Sequence, residues 1–184
     1  MKLKSGKIAK KRNEVDEDIK KSFKKKGFIV VRLGDITDEI IKKKDLPFNK
    51  ENERKIREGL RKKYGMDAYM QQNVKKIKSL LKTEQVVIID GMRSYQEYVT
   101  AQKEFENVFL LAIVADKELR YSRIKKRKTR ANLRGPERDI QEVINLNMGP
   151  TIALADALII NNGSRIDFEN ELENIYRKVY YGIG

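Results

Sequence analysis

The sequence predicts an α/β fold in three layers, a mainly parallel sheet flanked by helices. Three observations point there. Val86-Val87-Ile88-Ile89, Val108 to Val114 and Ala157 to Ile160 are apolar without alternation, as strands buried on both faces are. The stretches between them have the length and the three-to-four residue periodicity of amphipathic helices. Polar groups then follow the strands: Gly34-Asp35, Asp90-Gly91-Met92-Arg93, Ala115-Asp116 and Asn161-Asn162-Gly163-Ser164. In open α/β sheets ligands sit at those carboxyl ends.

Taken in order, Phe28 to Leu33 is a β-favouring run opened by Gly27 and closed by Gly34-Asp35. Asp35 is a ready N-cap for a helix over Ile36 to Lys44, stopped by Asp45-Leu46-Pro47. Asn49 caps a second helix reaching about Tyr64, with Glu53 near the reciprocal capping position and Gly65 beyond its end. Asp67 to Leu81 is amphipathic through Met70, Val74, Ile77 and Leu81. After the Val86–Asp90 strand, Ser94 to Phe105 is helical, and Val108 to Val114 returns as strand. Lys117 to Lys128 is a strongly basic helix, and Gly135-Pro136 is expected to break the chain. Ile140 to Leu146 is helical, Ala157 to Ile160 a further strand, and Asp167 to Tyr180 a closing helix. No repeat or low-complexity linker interrupts this order, so one domain over residues 1–184 is expected, with a basic N-terminal segment over 1–26 and a basic flap over about 117–140.

Composition narrows the function classes. The chain has 184 residues, 40% of them hydrophobic and 37% charged, which suits one good core under a heavily charged surface. With no cysteine there is no disulfide or thiolate metal site, and with no histidine there is no imidazole acid/base chemistry. No apolar run approaches the ~20 residues that span a bilayer, and no apolar stretch follows the lysine-rich start as in a secretory signal. A cytoplasmic protein is the expectation, and the Lys/Glu-rich, Cys-free composition is a thermophile's. Residues 1–26 hold 11 Lys/Arg against 4 acids, and residues 117–138 hold 10 against 2, so these two segments carry the whole net charge of +14. Their partner is expected to be a polyanion, either nucleotide phosphates or nucleic acid.

Phosphoryl transfer needs positioning, a metal and positive charge more than covalent help. Asp90 can bind magnesium through water or orient an acceptor hydroxyl. Arg93 can fork onto an acceptor phosphate, which a planar guanidinium does better than lysine. Arg120, Arg123 and Arg127 recur on one helix face, and Arg130, Arg134 and Arg138 extend that supply. Asp35 can orient the acceptor as well as cap its helix. Asn161-Asn162-Gly163-Ser164 reads either as a turn or as backbone open to an adenine ring.

The run VVIIDGMR, the Arg-x-x-Arg-x-x-x-Arg helix, RGPERDIQEV and ADALIINNGS resemble, in that order, the adenylate-kinase-related P-loop kinases of archaea. Dephospho-CoA kinases and deoxynucleotide monophosphate kinases are similar, and LPFNKENERKIREGLRKKYGMDAY resembles the acceptor-side helices of the group. The resemblance covers about residues 27–178. It implies a sheet of five parallel strands, a loop that binds ATP with Mg2+, a mobile lid, and transfer of the terminal phosphoryl group to a small phosphorylated acceptor. By motif, Asp90 and Arg93 match the Asp-Gly-x-Arg site as catalytic groups, with Asp90 toward the metal. Arg123 and Arg127 match lid arginines. Ser5, Gly6 and Lys7, with Asn162 and Gly163, would face the nucleotide, and Asp35 and Arg93 the acceptor.

One departure stands out. A phosphate loop reads G-x-x-x-x-G-K-[ST] after a buried strand. Matching Gly6-Lys7 puts Met1 at the first glycine and Ile8 at the magnesium-binding hydroxyl. No residues then remain for the preceding strand, so the sheet is expected to lack its first strand. Residues 8–26 can form a helix through Ile8, Val15, Ile19 and Phe23. Three readings stay open: a truncated or misassigned start, a non-catalytic relative that keeps nucleotide binding, or a kinase-like body recruited to nucleic acid. An inactive scaffold docking through Tyr180-Tyr181 and the basic arm is a further alternative.

Overall fold

The computed structural model describes residues 2–7 (as backbone), 23, 27–125 and 135–182. Five parallel strands make one sheet: β1 Lys2–Lys7, β2 Ile29–Arg32, β3 Val87–Met92, β4 Val108–Val114 and β5 Ala157–Ile160, in the order β2-β3-β1-β4-β5. The expectation of a missing first strand is therefore wrong. Residues 2–7 run between β3 and β4 and pair with both, Lys4 against Ile89 and Leu110. Lys-Leu-Lys-Ser-Gly-Lys has no apolar run, so its strand state rests on backbone pairing with two neighbours, where tertiary context overrides propensity. The expected helix over residues 8–26 lies outside the described residues, apart from Phe23, which is buried.

The apolar strands are covered on both faces because successive side chains point to opposite sides. Val87 and Ile89 pack with Val31, Leu33, Met70, Ile77, Ala101 and Leu110 beneath helices α3 (Ala68–Leu80) and α4 (Tyr95–Glu104). Ile88 turns the other way, to Phe23, Leu111, Ile113, Ile159, Phe168 and Leu172 beneath α8 (Arg165–Tyr181). Each of these larger side chains, Val, Leu, Ile, Met or Phe, stabilises the fold by about 1.5–3 kcal/mol when fully buried.

The remaining elements are α1 (Asp35–Lys43), α2 (Lys50–Tyr64), α5 (Lys117–Lys125), α6 (Gly135–Asp139), a π-helical turn over Ile140–Asn145, and α7 (Met148–Ala153). Most follow the expected spacing, with four differences. Gly34, not Asp35, stands at the N-cap of α1; Asp35 begins the helix and pairs with Arg32 at 3.2 Å. Asn49 caps α2 by accepting from the backbone of Asn52, which leaves Glu53 one residue too far on to reciprocate; its carboxylate meets Arg57 instead. Gly135-Pro136 opens α6 rather than breaking the chain, since proline is tolerated in a first turn, where no amide partner is lost. A Cβ at Gly135 would meet the Tyr121 ring at 2.3 Å, so the helix start lies flat on that ring. Finally, α7 was not expected; it starts after Asn147, whose φ of 54° is left-handed.

Candidate active site at the carboxyl ends of the central strands

The two motif fragments, far apart in sequence, end side by side. Ser5 of β1 pairs with Asp90 of β3; the next partner of Gly6 is Met92, so Gly91 is an extra residue in β3. Gly91 has φ 87°, the left-handed region that glycine enters without penalty, and a bulge of this kind bends its strand. The Asp-Gly pair thus has a backbone reason: the glycine makes the irregularity near the end of β3, beyond which Met92 still pairs with Gly6 and the chain leads to Arg93. On the other side of β3, Arg32 pairs with Asp90, and the Leu33 amide donates to the Asp90 carbonyl at 2.9 Å. The Asp90 side chain is buried at this junction. Ser5, Gly6 and Lys7 lie within β1 itself, Lys7 beside Ile113 of β4, where the motif had suggested a loop.

Arg93 follows β3 and is fixed at both ends. Its amide donates to Glu97 Oε2 at 2.6 Å, and its Nη1 to Glu142 Oε1 at 3.2 Å. Glu97 also accepts from the Ser94 amide, while Ser94 Oγ accepts from the Glu97 amide, a reciprocal capping box at the start of α4. Burial pushes the Glu97 carboxyl above its usual range, against the pull of these two amides and of Arg61 and Arg93. Glu142, on the π-helical turn, is buried and shared with Arg138 of α6. π-helical turns recur at functional sites.

Two further arginines converge here from α2. Its half-buried stripe is Asn52, Glu53, Ile56, Arg57, Leu60 and Arg61, so two of six inward positions are guanidinium groups. Arg57 pairs with Glu53 at 3.2 Å, and the Arg61 guanidinium lies 5.4 Å from the centroid of the Tyr69 ring. Burial holds Arg61 below the usual arginine range, Glu97 works the other way, and Arg93 and Arg57 add smaller like-charge repulsion. Tyr69, pushed up chiefly by burial, shares a 2.7 Å hydrogen bond with Thr37. Arg57, Arg61, Glu97 and Glu142 were not singled out in the sequence; Arg138 was, as part of the arginine supply of the flap, and it is instead buried against Glu142. The i,i+4 arginines on a helix with an apolar stripe and the Ser94-x-x-Glu97 spacing were the available signals; the long-range pairing of Glu142 left none.

At the β5 end, Arg123 donates from Nη1 to the Asn161 carbonyl at 2.7 Å and from Nη2 to the Gly163 carbonyl at 3.4 Å. Asn162 Oδ1 accepts from the Asp116 amide. Gly163 has no room for a side chain: a Cβ would lie 2.5 Å from the Asp167 carboxylate that caps α8 through Ser164. The expected row of three presented arginines on α5 is thus tied down where it is described, Arg120 to Asp139 at 2.8 Å and Arg123 to the 161–163 turn. Arg127, Arg130 and Arg134 lie outside the described residues. Asp35 sits at the start of α1 with Arg32, on the β2 side of the same sheet edge. Among the described residues no three acidic or histidine side chains cluster as a metal site, and no helix is long and apolar enough to cross a membrane.

The fold is that of the P-loop kinases. The dephospho-CoA kinase of Campylobacter jejuni superimposes with a TM-score of 0.61 over 98% of both chains at 13% identity. The shikimate kinase of Bacteroides thetaiotaomicron gives 0.59 over 97% of this chain and 98% of its own at 11% identity. At such identities the likeness concerns fold alone, and it does not single out an adenylate-kinase type of specificity. No family model matches the chain. Curated archaeal relatives do: a UPF0200 protein of Thermococcus kodakarensis is 36% identical over 88% of this chain and 90% of its own. A UPF0200 protein of Pyrococcus abyssi is 34% identical over 89% and 90%. The chain belongs to the UPF0200 family.

Proposed function

We propose that the protein binds a nucleoside triphosphate with magnesium and transfers its terminal phosphoryl group to a small phosphorylated acceptor. The observation that carries this reading is the pairing of Ser5 with Asp90 at the carboxyl ends of adjacent central strands, with Arg93 directly beyond. The bound nucleotide would supply the transferable group and, through its magnesium, neutralise charge on the phosphates. The fit to it rests on the donor chemistry. A buried carboxylate at the end of β3 suits a cation held through water, and the arginines suit phosphate oxygens.

In this reading Asp90 orients the acceptor hydroxyl or the metal's water, and Lys7 and the backbone of Ser5-Gly6 face the triphosphate. Arg93 forks onto the acceptor's own phosphate, its amide already held by Glu97. Asn162 and Gly163 line the base side of the nucleotide, with Arg123 holding their turn in shape. Arg123 and Arg127 belong to the segment over about 117–140 that would close over the phosphates and exclude water.

Calorimetry with Mg-ATP at about 0.15 M salt, which screens loose surface attraction, tests the first step. Saturable binding, lost in Lys7→Ala and dependent on magnesium in the wild type but not in Asp90→Asn, is the expected result. Binding indifferent to both substitutions would sink the reading.

A further inference from the structure

The two edges of the sheet differ. β2 carries Arg32, and none of its four residues is exposed. At the other edge β5 reads Ala157-Leu158-Ile159-Ile160, and among the described residues it pairs with β4 alone. Ile159 is buried with the α8 side of the core, but Leu158 is 50% exposed and Ile160 62%. In register with Ala112 and Val114, these two share the sheet face on which Leu110 packs with the α3 and α4 cluster, yet that cover stops short of them. The Asn161 amide turns inward to the Val114 carbonyl at 2.7 Å, so alternation directs the backbone groups of Leu158 and Ile160 outward. Open strand edges are usually blunted by lysine, proline or a bulge, and β5 has none of these.

Charge selects the partner. The chain has 41 Lys and Arg, yet none occurs from Ile140 to Ser164. The arginines that reach this segment are already engaged, Arg93 and Arg138 on Glu142 and Arg123 on the Asn161 and Gly163 carbonyls. Its other carboxylate, Asp156, accepts from the Leu110 amide. A polyanion would be drawn to the two basic segments instead. Two copies of the chain, each of net charge +14, repel least where this uncharged edge meets its equal.

We propose that the β5 edges of two copies pair antiparallel about a two-fold axis at Ile159, joining both sheets into one. About that axis Leu158 lies opposite the partner's Ile160 and exchanges both backbone hydrogen bonds with it, while the two Ile159 residues form a non-hydrogen-bonded pair. The exposed Leu158 and Ile160 side chains of both copies then cover one another. This goes beyond the phosphoryl-transfer reading and does not depend on it, since that site lies at the ends of β1 and β3.

Analytical ultracentrifugation of the full chain at about 0.15 M and about 0.5 M salt is the test. A monomer–dimer equilibrium with a dissociation constant below about 0.1 mM is expected. It tightens as salt rises, because screening relieves the repulsion between like-charged copies. Leu158→Lys and Ile160→Lys each weaken it at least tenfold. Phe48→Lys, which adds the same charge at another exposed apolar position, changes it less than twofold. Amide exchange on the wild type needs no variant: the Leu158 and Ile160 amides are expected to exchange more slowly in concentrated than in dilute protein. A chain that stays monomeric at about 0.1 mM would overturn the proposal. So would association that weakens with salt, as bridging by a polyanion does. An equal loss in Phe48→Lys, or a dimer that leaves the Leu158 and Ile160 amides unprotected, would overturn it as well.

Discussion

The two ends of the sheet handle arginine in opposite ways. Beyond β5, Arg123 spends its donors on backbone carbonyls of the 161–163 turn, and Arg120 on Asp139, which also accepts from Tyr121. Those cations are structural ties between α5, α6 and the β5 turn. Beyond β3, Arg57 pairs with Glu53, and Arg93 and Arg138 share Glu142, while Arg61 lies over an aromatic ring with no ion pair among the described residues. The same residue type is a fastener in one place and an unspent donor in the other. Position on the chain does not tell them apart; the supply of acceptors does.

The sharpest way to break this contrast is Glu142→Ala. It leaves Arg138, almost wholly buried, and Arg93 without their shared carboxylate. Removing one partner of a buried ion pair costs about 3–5 kcal/mol, so a large drop in the urea midpoint is expected. If a nearby dianion is the natural counter-ion, phosphate recovers part of that loss in Glu142→Ala more than in the wild type. An unfolding free energy within about 0.5 kcal/mol of wild type would mean that Glu142 does not hold the cluster together.

Arg123→Ala is the matching experiment at the other end. It removes charge-assisted hydrogen bonds to two carbonyls, worth about 1.5 kcal/mol at a part-buried site. Stability should fall by that order in urea unfolding. A change below about 0.5 kcal/mol would mean that Arg123 is no fastener at the β5 end.

Smaller again is the difference between the two capping boxes. Ser94 is buried, and its hydroxyl also donates to the Met66 carbonyl at 2.9 Å; Ser164 is exposed and caps α8 alone. Ser94→Ala should cost about 1–2 kcal/mol and Ser164→Ala nearer 0.5 kcal/mol, read from thermal or urea unfolding. Equal costs would mean that the Ser94 link to the chain ahead of α3 adds nothing.

These ranks also show what the residues made legible. β3 and β4 were plain because an unbroken apolar run has few alternatives once it is bounded by Asp-Gly or Ala-Asp. β1 was not, because Lys-Leu-Lys-Ser-Gly-Lys carries no strand pattern, and its place between β3 and β4 follows from partners more than eighty residues away. Asp90 and Arg93 were visible as a spacing. Gly91 was visible as a residue but not as a bulge, which exists only against the register of β1. The Gly135-Pro136 reading failed because a pair that ends a helix can also start one, and the Tyr121 ring that leaves no room for a side chain at 135 belongs to another helix. Buried ion pairs are the extreme case: Glu142 reads as one more surface acid on a charged chain until it meets Arg93.

The least of the expected effects concerns Glu97, and its sign separates a buried carboxylate that is kept charged from one that is not. Burial raises its pKa above the ordinary 4.5, although two amides and two arginines pull it down. Below about 4.5 the carboxyl is protonated in folded and unfolded chains alike and contributes no slope. Above that value the unfolded chain releases its proton first, so the folded state loses stability as pH rises, until the folded pKa is passed and the loss levels off. Glu97→Gln keeps an oxygen for the Arg93 and Ser94 amides but cannot titrate. The difference in unfolding free energy between wild type and Glu97→Gln should therefore shift against the wild type as pH climbs from 4.5, then become flat. A difference that is constant with pH, or that shifts in favour of the wild type, would mean that Arg61 and Arg93 already neutralise Glu97. In that case the acceptor side would hold less spare positive charge than the contrast with the β5 end requires.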